Sequence, residues 1–290
     1  MARDVHGGPG VRRTVHRSGH GSAITLAPSC EQVYDESPRE HRAEAAAPAA
    51  CRCPSRRTLA LVYAERKSRL AGAVVWTNTP AGAGTAPVLP DGCMDLMWSD
   101  GRLLVAGPDT GPHVIEGPAR PWAGVRFFPG TAPALLGLPA CELLDHRADL
   151  ADLWPGALVR RLRDRVAAAP DAATALEEIA LDRAAWSAAP DPRLRRLVER
   201  LAQGCPVSVA AAELGIGARQ LHRRCQASFG YGPKTLARIL RLRRALALAR
   251  SGVPYAETAT RAGYADQPHL AREVRRLAGR PLGELLRGGG

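Results

Sequence analysis

One repeated order in residues 192–287 constrains this chain more than any other feature. A short helix-forming segment, a glycine turn and an Arg-rich helical segment follow one another. After a long apolar-striped stretch the same order returns. The first copy has a short helix capped by Ser208 and running through Leu214, the turn Gly215-Ile216-Gly217, and a helix from Ala218 to about Phe229. The second has Tyr255–Ala262, the turn Gly263-Tyr264-Ala265-Asp266 with Asp266 as N-cap, and a helix from Gln267 to Ala278. Between them Pro233 opens a helix that reaches Arg250, where Gly252-Val253-Pro254 breaks it. A helix over Pro192–Gln203, with Leu194, Leu197, Val198 and Leu201 on one face, precedes the pair, and Pro281–Leu286 follows it.

A helix, a glycine turn and a second helix make a helix-turn-helix unit, so the spacing predicts two such units. Glycine lets the chain reverse in a left-handed conformation. Ala210, Ala211, Ala259 and Ala262 are small enough for the paired helices to approach closely. In the second helix of each unit one face must be apolar. Leu221 and Cys225 supply it in the first unit, and Leu270, Val274 and Leu277 in the second. The opposite face carries Arg219, His222, Arg223 and Gln226 in one unit and Gln267, Arg272 and Arg276 in the other. Arginine can pair with guanine through two bonds and glutamine with adenine, so these residue types suit readout in the major groove.

Charge placement points the same way. The chain of 290 residues carries a formal net charge of +12, and residues 191–290 hold 19 Lys and Arg against 7 Asp and Glu. Residues 1–190 hold 21 of each, so the whole excess lies in the C-terminal third. A basic third suits a polyanion, because neutralised phosphates release counterions. The plainer reading is a helical bundle with solvated arginine faces. A nonspecific architectural binder would need apolar wedges for the minor groove, and these helices offer Arg, His and Gln instead.

The rest of the chain divides by composition. Residues 1–57 lack periodicity, are rich in Arg, Ser, Gly, Pro and Ala, and read as a disordered tail or as sequence upstream of the true start. Residues 58–155 read as a small β-barrel or sandwich with helices. Short apolar runs (Ala73–Trp76, Met94–Trp98, Leu103–Ala106, His113–Ile115 and Ala123–Phe128) alternate with turns such as Pro90-Asp91-Gly92 and Ser99-Asp100-Gly101. Pro133–Leu138 and Leu143–Leu153 are short helix candidates. Gly156–Ala169 and Asp171–Ala185 read as a helical linker across 156–189, ahead of an all-α domain in 190–290. The expected class is therefore α+β.

Other chemistry is poorly supported. Seven cysteines (Cys30, Cys51, Cys53, Cys93, Cys141, Cys205 and Cys225) show no disulfide framework, and Cys51-x-Cys53 has no matching Cys/His pair for a zinc site. Neither a secretory leader nor an apolar run of about 20 residues is present, so a cytoplasmic protein without membrane attachment is expected. Gly82-x-Gly84 lacks the strand, third glycine and helix of a nucleotide loop. His113 and His146 stand too far apart for a metal pair. No catalytic residue, cofactor or metal is expected. The alternative, an enzyme of cupin type fused to a DNA-binding domain, would need a His/Glu cluster that the strands do not offer.

Residues 191–290 resemble the DNA-binding domain of the AraC/XylS family of transcriptional regulators. The matching segments are Val209-Ala-Ala-Ala-Glu-Leu-Gly-Ile-Gly217, Arg219-Gln-Leu-His-Arg223, Phe229-Gly-Tyr-Gly-Pro233 and Arg241-Leu-Arg-Arg-Ala245. The longest is Ala259-Thr-Arg-Ala-Gly-Tyr-Ala-Asp-Gln-Pro-His-Leu-Ala-Arg272, followed by Gly279-Arg-Pro-Leu282. The resemblance implies a seven-helix domain whose two recognition helices enter successive major grooves on one face of double-stranded DNA. By matching position it points to Arg219, His222 and Arg223 in the first unit and to Gln267, Pro268 and Arg272 in the second. The full candidate set adds Gln220, His269 and Arg276. Gly217 stands where the family often has a serine cap, and Cys225 and Val274 where phenylalanine is frequent.

Val74-Val-Trp-Thr77, Leu89-Pro-Asp-Gly-Cys-Met-Asp-Leu96, Ala106-Gly-Pro108 and Gly124-Val-Arg-Phe-Phe-Pro-Gly130 resemble a cupin-like sensor domain of actinobacterial regulators. Its polar and aromatic features are Asp91, Cys93, Asp95, Trp98 and Arg126, for which turn and core roles are the plainer reading. RNA polymerase, a small-molecule effector at the N-terminal domain and a homodimer are the further partners expected, and the N-terminal resemblance names no ligand.

Overall fold

The computed structural model describes residues 62–79, 87–114 and 120–287. The expected tail, Cys30, Cys51, Cys53, Gly82-x-Gly84 and Ile115 lie outside these residues. Six strands, β1 (Val62–Lys67), β2 (Ala73–Thr79), β3 (Met94–Ser99), β4 (Arg102–Ala106), β5 (Trp122–Phe127) and β6 (Arg147–Asp149), form one antiparallel sheet in the order β1-β2-β5-β3-β4-β6. Period-two alternation sorts its side chains. Val75, Leu96, Leu103, Val105, Val125 and Phe127 point to one face, and Trp76, Met97, Ala106 and Trp122 to the other. Trp76 lies across from Gly124 in the register, where an added Cβ would fall 2.4 Å from the indole. Only glycine fits there.

The expected barrel or sandwich is realised as one sheet, and helices take the place of a second sheet as the apolar layer. After β5 come α1 (Ala132–Leu136), a 3-10 turn (Ala140–Leu143), β6, α2 (Leu150–Leu153), α3 (Gly156–Ala168) and α4 (Ala172–Ala184). Leu176, Ile179 and Ala180 of α4 and Val159 and Val166 of α3 are buried in the same core as the sheet residues. Residues 156–189 are therefore not a linker, because α3 and α4 complete the sheet's hydrophobic layer. Glu177 of α4 fastens that layer to the β1–β2 turn. Its carboxylate accepts bonds from Ser68 Oγ at 2.8 Å, Arg69 N at 2.7 Å and Arg66 Nη2 at 3.0 Å. Burial pushes the Glu177 carboxyl up, but those three donors outweigh it and bring it down to about 2.

Three further readings are corrected. His113 forms only an isolated bridge with Val88 rather than a strand. The stretch 143–153 contains β6 and one short helix instead of a single helix. Ser208 does not cap its helix: the N-cap is the extended Pro206, which places Ser208 inside the first turn.

Seven helices follow: α5 (Pro192–Ala202), α6 (Val207–Glu213), α7 (Ala218–Phe229), α8 (Pro233–Arg250), α9 (Tyr255–Ala262), α10 (Gln267–Ala278) and α11 (Leu282–Arg287). They form two cores that share α8. Leu236, Ile239 and Leu240 from its first half pack with Leu197, Leu221, Cys225 and Phe229. Leu242, Ala245 and Leu246 from its second half pack with Ala259, Leu270, Val274 and Leu277. Each fully buried leucine contributes about 1.5–3 kcal/mol, so both units draw stability from one helix. Among the described residues no helix is long and apolar enough to cross a membrane.

Candidate nucleic-acid interface

Both units turn on a left-handed glycine, Gly215 at φ +63° and Gly263 at φ +86°. An L side chain there would be strained. Ala210 of α6 and Ala259 and Ala262 of α9 are buried to 1% or less, which brings each first helix close to its partner. Asp266 Oδ1 accepts the His269 N–H at 2.6 Å and caps α10. The corresponding Gly217 extends into α7 with no side-chain cap.

The apolar faces lie where the pattern places them. Leu221 and Cys225 are buried under α7, and Leu270, Val274 and Leu277 under α10. Burial pushes the Cys225 thiol up to about 12, so it packs as a small apolar group. On the outer faces Arg219, Gln220, His222, Arg223 and Gln226 are exposed on α7, and Gln267, Pro268, Arg272 and Arg276 on α10.

The two histidines differ: His222 is exposed and His269 is held by the fold. His222 lies over Gly232 at the start of α8, where an added Cβ would sit 2.9 Å from its Nε2. His269 is half-buried; its Nδ1 accepts the Ala265 N–H at 3.3 Å and its ring meets Tyr264 edge-on. His269 is therefore turned into its unit, away from the row formed by Gln267, Arg272 and Arg276.

The arginines fall into two groups. Some bind the helices together. Arg200 of α5 holds Glu213 of α6 through two bonds, at 2.7 and 2.6 Å. Arg224 of α7 reaches Asp191 at 3.0 Å, and Arg238 of α8 reaches Glu273 of α10 at 2.5 Å. Arg241 of α8 stacks 4.6 Å over the Tyr264 ring and donates to Gly263 O. Arg219, Arg223 and Arg272 belong to the other group: they make no ion pair with a carboxylate among the described residues, whereas Arg276 beside them acts on the charge of Glu273. The charge of those three is left for an external anion, and guanidinium suits phosphate and base edges alike. Arg275 and Arg280 are also exposed at the far end of α10, and the spacing argument did not single them out.

In the N-terminal domain Asp95, Arg126 and Trp76 form a buried cluster. Trp76 Nε1 donates to Asp95 Oδ1 at 2.8 Å and Arg126 Nε to the same oxygen at 3.2 Å. Asp91 Oδ1 accepts the Cys93 N–H at 2.8 Å and so shapes the turn before β3. Trp98 is partly buried against the sheet core.

Residues 193–288 match a family described as a helix-turn-helix domain, and residues 73–149 match a domain of unknown function (DUF6597). No curated protein matches the chain in sequence. Among solved structures, the chain is similar to ToxT from Vibrio cholerae. An apo variant of ToxT is 11% identical with a TM-score of 0.42, the alignment covering 77% of this chain and 100% of that one. A complex of ToxT with (E)-4-(8-methylnaphthalen-1-yl)but-3-enoic acid is 9% identical with a TM-score of 0.42, covering 75% and 98%. An unsaturated fatty acid bound form is 9% identical with a TM-score of 0.39, covering 76% and 97%. Because the helix-turn-helix match spans the residues that form both helix pairs, the chain is a DNA-binding transcription regulator, and its C-terminal third is a helix-turn-helix domain of AraC type.

Proposed function

We propose that this regulator reads one asymmetric DNA site through two successive major grooves, with α7 in one and α10 in the other, under the control of its N-terminal domain. The observation that carries this reading is the pair of exposed helix faces on which Arg219, Arg223 and Arg272 make no ion pair among the described residues. Arg219, Gln220, His222 and Arg223 are the readers in the first groove, and Gln267, Pro268, Arg272 and Arg276 in the second. Their unlike chemistry means unlike half-sites. The connecting helix α8 has 18 residues and is about 27 Å long. Successive grooves on one face lie about 34 Å apart, so the bound duplex must bend if α8 holds the two units closer than that.

In this reading the protein acts by binding and catalyses no reaction. It works at the bacterial nucleoid, communicates with RNA polymerase, and takes a small-molecule effector at the sheet domain. One protomer completes a site, so a homodimer adds a second copy of the site. Footprinting of the purified protein tests it. Two protected patches about ten base pairs apart, of unlike sequence, are expected. A palindromic footprint, or protection of a single groove, would refute it.

A further inference from the structure

Both reading helices end on a left-handed glycine, and each of these glycines lies beside a proline of the N-terminal domain, Gly230 buried and Gly279 exposed. Gly230 ends α7 and Gly279 ends α10. A Cβ added to Gly230 would fall 2.6 Å from Pro108 Cγ, and one added to Gly279 would fall 3.1 Å from Pro112 Cγ. The two prolines stand four positions apart on a single loop, Pro108 to His113.

That loop is tightly pinned. Asp145 accepts the Thr110 N–H at 2.6 Å and its hydroxyl at 2.8 Å, while its own N–H donates to Pro108 O at 2.9 Å. Arg147 grips Asp109 through two bonds, at 2.8 and 2.7 Å. Val88 and His113 exchange backbone bonds of 2.8 and 2.9 Å. The neighbours of these anchors make the same division. Leu144 packs against the core of the first unit and Leu89 against the core of the second.

We propose that Pro108–His113 is a two-point brace that fixes the separation and relative rotation of α7 and α10. Pro108 and Pro112 are then positioning residues for DNA recognition, and the N-terminal domain sets the half-site spacing that the chain accepts. The inference rests on the two-groove reading. The physical reason is one of constraint. Two units joined by α8 alone can still rock about its ends. A second connection, from the end of one reading helix to the end of the other, closes the frame and removes that freedom.

The test uses the full chain with Pro108→Ala, Pro112→Ala and the double variant. Affinity is measured by anisotropy on duplexes carrying both half-sites at native spacing and with one base pair added or removed. The wild type penalises the altered spacers. Each single variant should lower that penalty by about threefold or more. The double variant should lower it no further than either single, because freeing one end opens the frame. Binding to a duplex with one half-site should stay within about twofold. A smaller loss of discrimination, or strictly additive losses from the two prolines, would overturn the brace. Should the proline variants fail to fold, Asp145→Asn, which loosens the same loop at Thr110, is read by the same ratio. Failure of the two-groove reading would show in the wild type, as equal affinity for one and two half-sites, and would remove the brace with it.

Discussion

At the scale of single residues, an arginine's role in this chain depends on whether a carboxylate lies within reach. Arg238 and Arg272 illustrate the two outcomes. Glu273 sits against Arg238. Burial pushes the Glu273 carboxyl up, but the hydrogen bond and charge of Arg238 outweigh burial and hold it below the usual carboxylate range. That pair joins α8 to α10. Arg272, one position away from Glu273, points outward with no partner among the described residues. Arg223→Ala and Arg272→Ala should each cost about 1–3 kcal/mol of binding and relax sequence preference in one half of the site only. Selection of binding sites from a random DNA library, followed by titration, reads both effects. A uniform loss with an unchanged preference would make these phosphate contacts. The outward row could be read from the sequence because helical spacing alone fixes which side chains share a face. The inward turn of His269 could not, since it depends on Ala265 N and the Tyr264 ring finding it across the turn.

At the scale of elements, local signals were readable and non-local ones were not. The bounds of α7, α8, α9 and α10 agree with the expected ones, because glycine turns, Pro233 and the Asp266 cap are all encoded within a few residues of each boundary. β1 and β6 went unseen because both are edge strands. β1 exposes Ala64, Arg66 and Lys67, and β6 has only three residues. The layer role of α3 and α4 was missed because their apolar faces have no meaning until the sheet is in place. Glu177 is the clearest case: a carboxylate in the middle of a helix, 1% exposed, whose donors lie more than a hundred residues earlier. Glu177→Gln should destabilise the N-terminal domain by about 1–3 kcal/mol, since it weakens bonds to a buried charge. The pH dependence has a definite sign. The Glu177 carboxyl is lowered in the folded state, from 4.5 to about 2, so its contribution is complete above 4.5 and is lost as the pH falls toward 2. Denaturant melts across this window should show the wild type losing stability more steeply than the variant. Parallel curves would show that Glu177 does not carry that acid limb.

At the scale of the whole molecule, charge is segregated in the same way as structure. The sheet and its helices belong to a stretch with no net charge, and the excess of 12 lies on the helix-turn-helix third. Binding should therefore weaken at least about a hundredfold between 50 and 200 mM salt, because a contact surface across two grooves releases several counterions. A change of less than about fivefold would place the basic residues away from the phosphates. Composition made this division readable before any fold was known. The crossing of prolines onto the glycine ends of α7 and α10 was not, because proline and glycine at those positions read only as turn residues.

The sharing of α8 by two cores has an evolutionary corollary. Leu236, Ile239 and Leu240 face one core, and Leu242, Ala245 and Leu246 the other, so the helix is also an angular gear between the units. Each residue inserted at its middle turns the second unit by about 100° and moves it about 1.5 Å. One or two insertions would swing α10 away from the DNA face, whereas three or four nearly restore its phase. The spacing of half-sites in relatives of this protein can therefore drift only in steps of a whole helical turn, and smaller adjustments have to come from outside the helix.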